Sequence, residues 1–139
     1  RLDSNPSSVS HKELKLWIKE GSIKYLGELS SVQKNLAYCR FYVLPSYREG
    51  MPRSVLEAMA TGRPIITTDV PGCRETVIHK KNGLLVPPKN SKYLANAMIQ
   101  LLEETEDKIQ TMGKESFNLA KDSYAVDKVN KSILQIMYL

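Results

Sequence analysis

The segment Phe41-Tyr42-Val43-Leu44, four apolar residues in succession shut off by Pro45, constrains the fold more than any other. An uninterrupted apolar run marks a strand covered on both faces. Such strands belong to parallel sheets sandwiched between helices. Short runs of the same kind recur at Pro64-Ile65-Ile66-Thr67-Thr68 and at Leu84-Leu85-Val86, which Pro87-Pro88 stops. Ile23-Lys24-Tyr25-Leu26 reads as one more strand, ending at Gly27.

Helix signals fall between the runs. Ser10 and Glu13 form a capping box, with Val9 and Leu14 at the positions of a hydrophobic staple. The helix they open passes through Leu14, Trp17 and Ile18, three residues assigned to the core, and stops at Gly21. Ser30 and Gln33 make a second capping box, for a short helix to about Tyr38. A third helix runs from Pro52 to about Thr61 and ends at Gly62, Arg74 to Ile78 supply one helical turn, and Asn82-Gly83 makes a tight turn. Beyond Ser91 only helices are expected, over 91–103, 106–121 and 125–137, with their Met and Leu positions in the core. Strands alternating with helices give an α/β protein. The expected architecture is an incomplete doubly wound domain: about four short parallel strands flanked by helices, followed by C-terminal helices.

At 139 residues the chain can bury a core without disulfides or metals. Its two cysteines, Cys39 and Cys73, form no CxxC and read as reduced thiols, and no apolar run is long enough to span a bilayer. Neither His11 nor His79 has a partner at metal-ligand spacing. The chain opens on Arg1 and a polar stretch, with a helix ahead of its first strand. Residues 1–139 are therefore read as a single partial domain cut from a longer protein, with no secretion signal of its own.

The net charge of +5 is unevenly spread: +1 over residues 1–33, +6 over 34–92 and −2 over 93–139. A basic middle suits a phosphate-bearing partner, whether nucleotide, nucleic acid or anionic membrane; a merely solvated Lys-rich surface is the plain alternative.

One segment of that middle carries chemistry. Ligands of open parallel sheets bind at the carboxyl ends of strands, and the Phe41–Leu44 strand is followed by Pro45-Ser46-Tyr47-Arg48-Glu49-Gly50-Met51-Pro52-Arg53-Ser54-Val55-Leu56-Glu57. Pro52 suits the first helical position, which makes Met51 the N-cap, a residue with no oxygen to cap with. The amides of Arg53 and Ser54 are then free for an anion, helped by the helix dipole. Gly50 admits a ligand close to the backbone, and Arg48 and Arg53 add positive charge. Glu57 falls about 40° from Arg53 on the helical wheel and opposite Val55 and Met59, so it faces away from the core. Two structural readings stay open: Glu49 caps the helix, and Glu57 pairs with Arg53 one turn back. The loop Asp69–Glu75, including Arg74, ranks second as a site, and Tyr47 suits either packing or a sugar.

The joined stretch Leu44–Glu75, with Glu49-x7-Glu57 inside it, resembles the signature of the family-four (group one) retaining glycosyltransferases. The resemblance extends to Asn82-Gly83-Leu84-Leu85-Val86-Pro87 and to Ile23-Lys24-Tyr25-Leu26-Gly27, covers roughly residues 5–135, and is similar in particular to bacterial enzymes of capsular and O-antigen polysaccharide. It implies a GT-B fold, two Rossmann-like domains facing across a cleft, with this chain in the C-terminal, donor-binding one. It implies that Glu49 holds the donor sugar near the reacting carbon, that Gly50, Met51, Pro52, Arg53 and Ser54 face sugar and diphosphate, that Glu57 binds the ribose hydroxyls, and that the loop at Gly27 lies near the base. The implied substrate is a nucleotide-sugar donor, UDP-linked, with no metal and no cofactor. The implied acceptor is a saccharide or a lipid-linked one, bound through the absent N-terminal domain. The family's diphosphate-clamping Arg and Lys belong to an absent upstream segment, so no turnover is expected from this chain alone. A cytoplasmic location follows, at the inner face of the cell membrane if the parent is peripheral. Two other functions stand beside this one: a non-catalytic nucleotide-binding or scaffold module of the same fold, and nucleic-acid binding through the basic middle. The last is disfavoured, since no recognition motif accompanies the charge.

Overall fold

The computed structural model describes residues 9–137. They fall into two compact units, the first reaching Val32 and the second starting at Gln33.

In the first unit, α1 (His11–Lys19) starts on the expected capping box: Ser10 Oγ accepts from the Glu13 amide at 3.2 Å, and the Glu13 carboxylate accepts from the Ser10 amide at 2.9 Å. Gly21, at φ 72°, ends it, with the Ser22 amide reaching back to the Trp17 carbonyl at 3.0 Å. Two expectations fail here. Trp17 and Ile18 are 36% and 43% exposed and α1 buries no residue, because a unit of this size encloses no core. Ile23–Leu26 also forms no ladder among the described residues, and Ile23, Tyr25 and Leu26 stay exposed.

The second unit holds the sheet. Strands β1 (Tyr42–Leu44), β2 (Ile65–Thr68) and β3 (Gly83–Val86) are parallel in the order β1-β2-β3, with Tyr42 opposite Ile65 and Ile65 opposite Gly83. The sheet therefore has three strands where about four were expected. Helices α2 (Val32–Leu36), α3 (Arg53–Ala60), α4 (Ser91–Glu103), α5 (Glu106–Ser123) and α6 (Val126–Met137) complete the order. The short helix α2 begins beyond the Ser30 expected to cap it, and the turn expected over Arg74–Ile78 is a 3-10 helix, Arg74–Thr76.

Alternate residues of β2 feed two cores, which is why the strand is apolar throughout. Ile65 packs with Val55, Ala58 and Met59 of α3 on one face. Ile66 packs with Ala97 and Leu101 of α4 and with Ile109 and Met112 of α5 on the other. The C-terminal helices are less buried than expected: Met98, Leu102, Leu134 and Met137 are 36%, 60%, 50% and 72% exposed. Neither α4 nor α6 is enclosed on both sides, so part of each apolar stripe stays open. No helix among the described residues is long and apolar enough to cross a membrane.

The Asn82 turn is a closed polar joint. Its side chain accepts from the Ile78 amide at 2.7 Å and donates to the Thr76 carbonyl at 3.0 Å. Ser116 Oγ of α5 donates to the Asn82 carbonyl at 3.0 Å. Asn82 and Ser116 are buried, and their bonds offset the cost of burying polar groups.

Candidate functional site

The three strands end side by side, so the loops after β1, β2 and β3 share one edge of the sheet. The loop after β1 is held there by β2. Thr67 Oγ1 donates to the Leu44 carbonyl at 2.8 Å, and Thr68 Oγ1 donates to the Ser46 carbonyl. Ser46 Oγ in turn donates to the Arg48 carbonyl at 3.3 Å.

The Glu49–Gly50 peptide is backed by Gly72, whose φ is 86°. A Cβ on Gly72 would stand 1.9 Å from the Gly50 carbonyl oxygen and 2.4 Å from that of Glu49. Only glycine allows both this backbone and this approach. The Gly72 amide donates to the Glu75 carboxylate at 2.7 Å, and the Tyr124 hydroxyl donates to the Glu75 carbonyl at 2.6 Å. Burial, and secondarily the Glu75 charge, pushes the Tyr124 hydroxyl pKa above its ordinary value, so it stays a donor across the physiological range. A chain of contacts thus runs from the end of α5, through the second loop, to Glu49 and Gly50.

Helix α3 starts bare. Its N-cap is Pro52, not the expected Met51, because Pro52 has an extended ψ of 105° and Arg53 is the first helical residue. Pro52 makes no side-chain cap. The Val55 and Leu56 amides bond to the Pro52 carbonyl, while those of Arg53 and Ser54 have no partner among the described residues. Gly50 has nothing within 4 Å of where a Cβ would stand, so space is open beside the peptide. Glu49 is half-buried and Met51 exposed. Val55 and Met59 are fully buried, so Glu57 faces outward as its spacing predicts. Its carboxylate lies 3.3 Å from Arg53 Nε, with 32% of the Glu57 side chain and 91% of the Arg53 side chain exposed. The structure therefore brings Glu49, Gly50, Met51, Pro52, Arg53, Ser54 and Glu57 onto one loop and helix start. Gly27 belongs to the first unit.

Much of the basic middle is engaged structurally. Arg40 bonds the Leu101 and Glu104 carbonyls and Glu106, Arg63 bonds the Cys39 carbonyl, Arg74 pairs with Asp69, and Lys81 pairs with Glu115. Arg74 thereby braces its own loop. Arg48 and Lys89 have no ion-pair partner among the described residues. His79 is structural, its Nδ1 accepting from the Leu85 amide at 3.0 Å. Cys73 is buried and Cys39 half-buried, and both are free thiols. Sequence reasoning missed Thr67 and Thr68 as anchors and Gly72 as the backing residue. The Thr-Thr pair at a strand end and the Pro71-Gly72 turn were their signals.

The family model for group 1 glycosyl transferases matches residues 4–104. The chain is 36% identical over 126 residues to the N,N'-diacetylbacillosaminyl-diphospho-undecaprenol alpha-1,3-N-acetylgalactosaminyltransferase of Campylobacter jejuni, covering 91% of this chain and 31% of that enzyme. It is 31% identical over 91 residues to the capsular polysaccharide biosynthesis glycosyltransferase CapM of Staphylococcus aureus, covering 66% of this chain and 23% of CapM. The fold matches Anabaena HepE, solved with UDP, at a TM-score of 0.82 and 27% identity, over 92% of this chain and 35% of HepE. HepE has also been solved with UDP-glucose. The chain thus spans about a third or less of the length of these relatives.

Proposed function

The chain belongs to the group 1 glycosyl transferases, and on that premise we propose that it is the donor-binding part of a retaining enzyme using a UDP-sugar. The two unpartnered amides at the start of α3, beside Glu49 and the open side of Gly50, carry this reading. A diphosphate accepts from the Arg53 and Ser54 amides, and the helix dipole favours its charge. Arg48 and Arg53 add to that field. The Glu49 carboxylate takes the donor sugar's hydroxyls and stabilises the positive charge that develops at the reacting carbon as the nucleotide leaves. Glu57 accepts from the two ribose hydroxyls, since a carboxylate is an acceptor only. Its pair with Arg53 is exposed on the Arg53 side and worth little, so Arg53 swings to the phosphate at small cost.

HepE, which binds UDP and UDP-glucose, supports the choice of base. The Campylobacter enzyme, named for a diphospho-undecaprenol substrate, supports a saccharide or lipid-linked acceptor held by the rest of the protein. The parent then works in the cytoplasm at the inner face of the membrane, without metal or cofactor, and this chain alone turns nothing over.

The test is an NMR titration of the chain with UDP, GDP and a UDP-sugar, following the Gly50, Arg53 and Ser54 amides. Shifts at these amides with the uridine ligands, weakened by Glu57→Ala, are expected. Equal response to GDP overturns the base assignment. Shifts elsewhere only overturn the site.

A further inference from the structure

A second recess opens on the same edge of the sheet, away from α3. It lies between Pro45 and Tyr47 after β1 and the segment Pro87–Ser91 after β3, with Thr68, Val86 and Leu94 beneath, and its volume is about 330 Å³. That is the low end of the range for small-molecule sites.

Its chemistry is one-sided. The floor is apolar, from Pro45, Val86, Pro87 and Leu94, and no carboxylate lines it. At the mouth the Lys89 ammonium stands 5.9 Å from the centre of the Tyr47 ring. Lys89 has no ion-pair partner among the described residues. Tyr47 is 65% exposed, an aromatic ring with the ammonium over one of its faces. Helix α4 adds its first turn: Asn90 Oδ1 accepts from the Tyr93 amide at 3.2 Å, and the Ser91 and Lys92 amides have no partner among the described residues. An exposed aromatic ring, an ammonium with no ion-pair partner among the described residues and two amides without a partner there complement one kind of ligand: a ring with apolar faces that bears an anionic group.

We propose that this cleft binds a hexose carrying a phosphate or a carboxylate. The sugar face lies on Tyr47, and the anion lies between Lys89 and the first turn of α4. Tyr47 and Glu49 belong to one loop, pinned through Ser46 to β2, so the cleft and the donor carboxylate open from the same loop. On the donor reading above, and resting on it, the cleft holds the anionic sugar of the acceptor. Acceptor choice is then partly written in this chain.

The test is an NMR titration of the chain with glucose 1-phosphate, glucuronate and neutral glucose, each to about 10 mM, a range that detects millimolar affinity. Either anionic sugar is expected to shift the Tyr47, Lys89, Ser91 and Lys92 amides, and the stronger one identifies the anion. Glucose is expected to shift them at least about fivefold more weakly. Lys89→Asn keeps a residue that tolerates the left-handed backbone at φ 57°. It and Tyr47→Ala should each weaken binding at least about fivefold, whereas Arg53→Ala should not change it. Silence in the cleft with both anionic sugars overturns the proposal, as do shifts that survive Lys89→Asn or appear only at Arg53 and Ser54. Adding UDP separates the two readings. UDP shifts at Arg53 and Ser54 with a silent cleft sink this proposal alone. Cleft shifts with no UDP response sink the donor reading, leaving a sugar site without its acceptor role.

Discussion

Helices α3 and α5 pack against one another, yet they begin in opposite ways. At α5 the Thr105 hydroxyl accepts from the Lys108 amide at 3.3 Å, Glu106 and Asp107 fill the first turn, and Arg40 clamps Glu106 at 2.7 Å. Negative side chains there meet the positive end of the helix dipole. At α3 the cap is Pro52, the first turn holds no acid, and Arg53 adds positive charge where the dipole is already positive. One start carries a side-chain cap and acids of its own. The other is complementary to an anion from outside. The rule of local consistency is broken at α3 alone of this pair, and a broken rule of this kind marks a site.

The largest effect that would sharpen this contrast is on chemistry. Glu49→Gln in the full-length parent should lower the transferase rate at least about 100-fold, or about 3 kcal/mol, as product formation at saturating donor will show. A rate near that of the unaltered parent would break the reading of the α3 end as a reactive one.

Next comes the backing of that end. Gly72→Ala should force the two loops apart and weaken UDP binding at least about tenfold, measured by titration. The control is Gly113→Ala, whose Cβ would stand 2.2 Å from the Gly62 carbonyl. It should lower Tm while leaving the affinity of the folded chain unchanged. Equal losses of affinity in the two variants would dissolve the distinction between the ends.

Smaller effects follow from the caps. Thr105→Ala should cost about 1 kcal/mol in urea unfolding with UDP affinity unchanged. Pro52→Ser offers α3 the hydroxyl it lacks. It should alter stability by less than about 1 kcal/mol yet weaken UDP several-fold, because the cap competes for the same amides. The smallest effect belongs to α1. The Ser10 hydroxyl and then the Ser10 amide hold the Glu13 carboxyl below its ordinary value of 4.5. That contribution is present above 4.5 and is lost as pH falls through the depressed folded value. Amide protection in the first turn of α1 should therefore fall on acidification, and Glu13→Gln should remove the dependence.

The sheet and its helices were legible because buried parallel strands leave continuous apolar runs, and Phe41–Leu44 and Ile65–Ile66 admit few other uses. Ile23–Leu26 misled for the complementary reason. A short run states that a strand could form, but the ladder depends on a neighbour that the run itself does not name. Trp17 and Ile18 failed likewise, since spacing gives a face and not what covers it. At the site, the bare start of α3 was legible from Met51-Pro52-Arg53, a place where no side chain could cap, although the cap proved to be Pro52. The backing by Gly72 was not, because a contact between two loops has no local period. Asn82 read as a turn residue and is also a buried joint, bonded to Ile78 and Thr76 nearby and to Ser116 of α5, a partner 34 residues away that the turn itself does not name.

The bare start of α3 has a consequence for time as well as for charge. Amides bonded within a helix exchange with solvent only when the helix opens, whereas the Arg53 and Ser54 hydrogens have no bond to break first. They should exchange with deuterated water almost as fast as those of an unfolded peptide, and slow when an anion occupies them. The site therefore carries its own clock: two neighbouring hydrogens whose lifetime records occupancy, needing no label, no turnover and no second substrate.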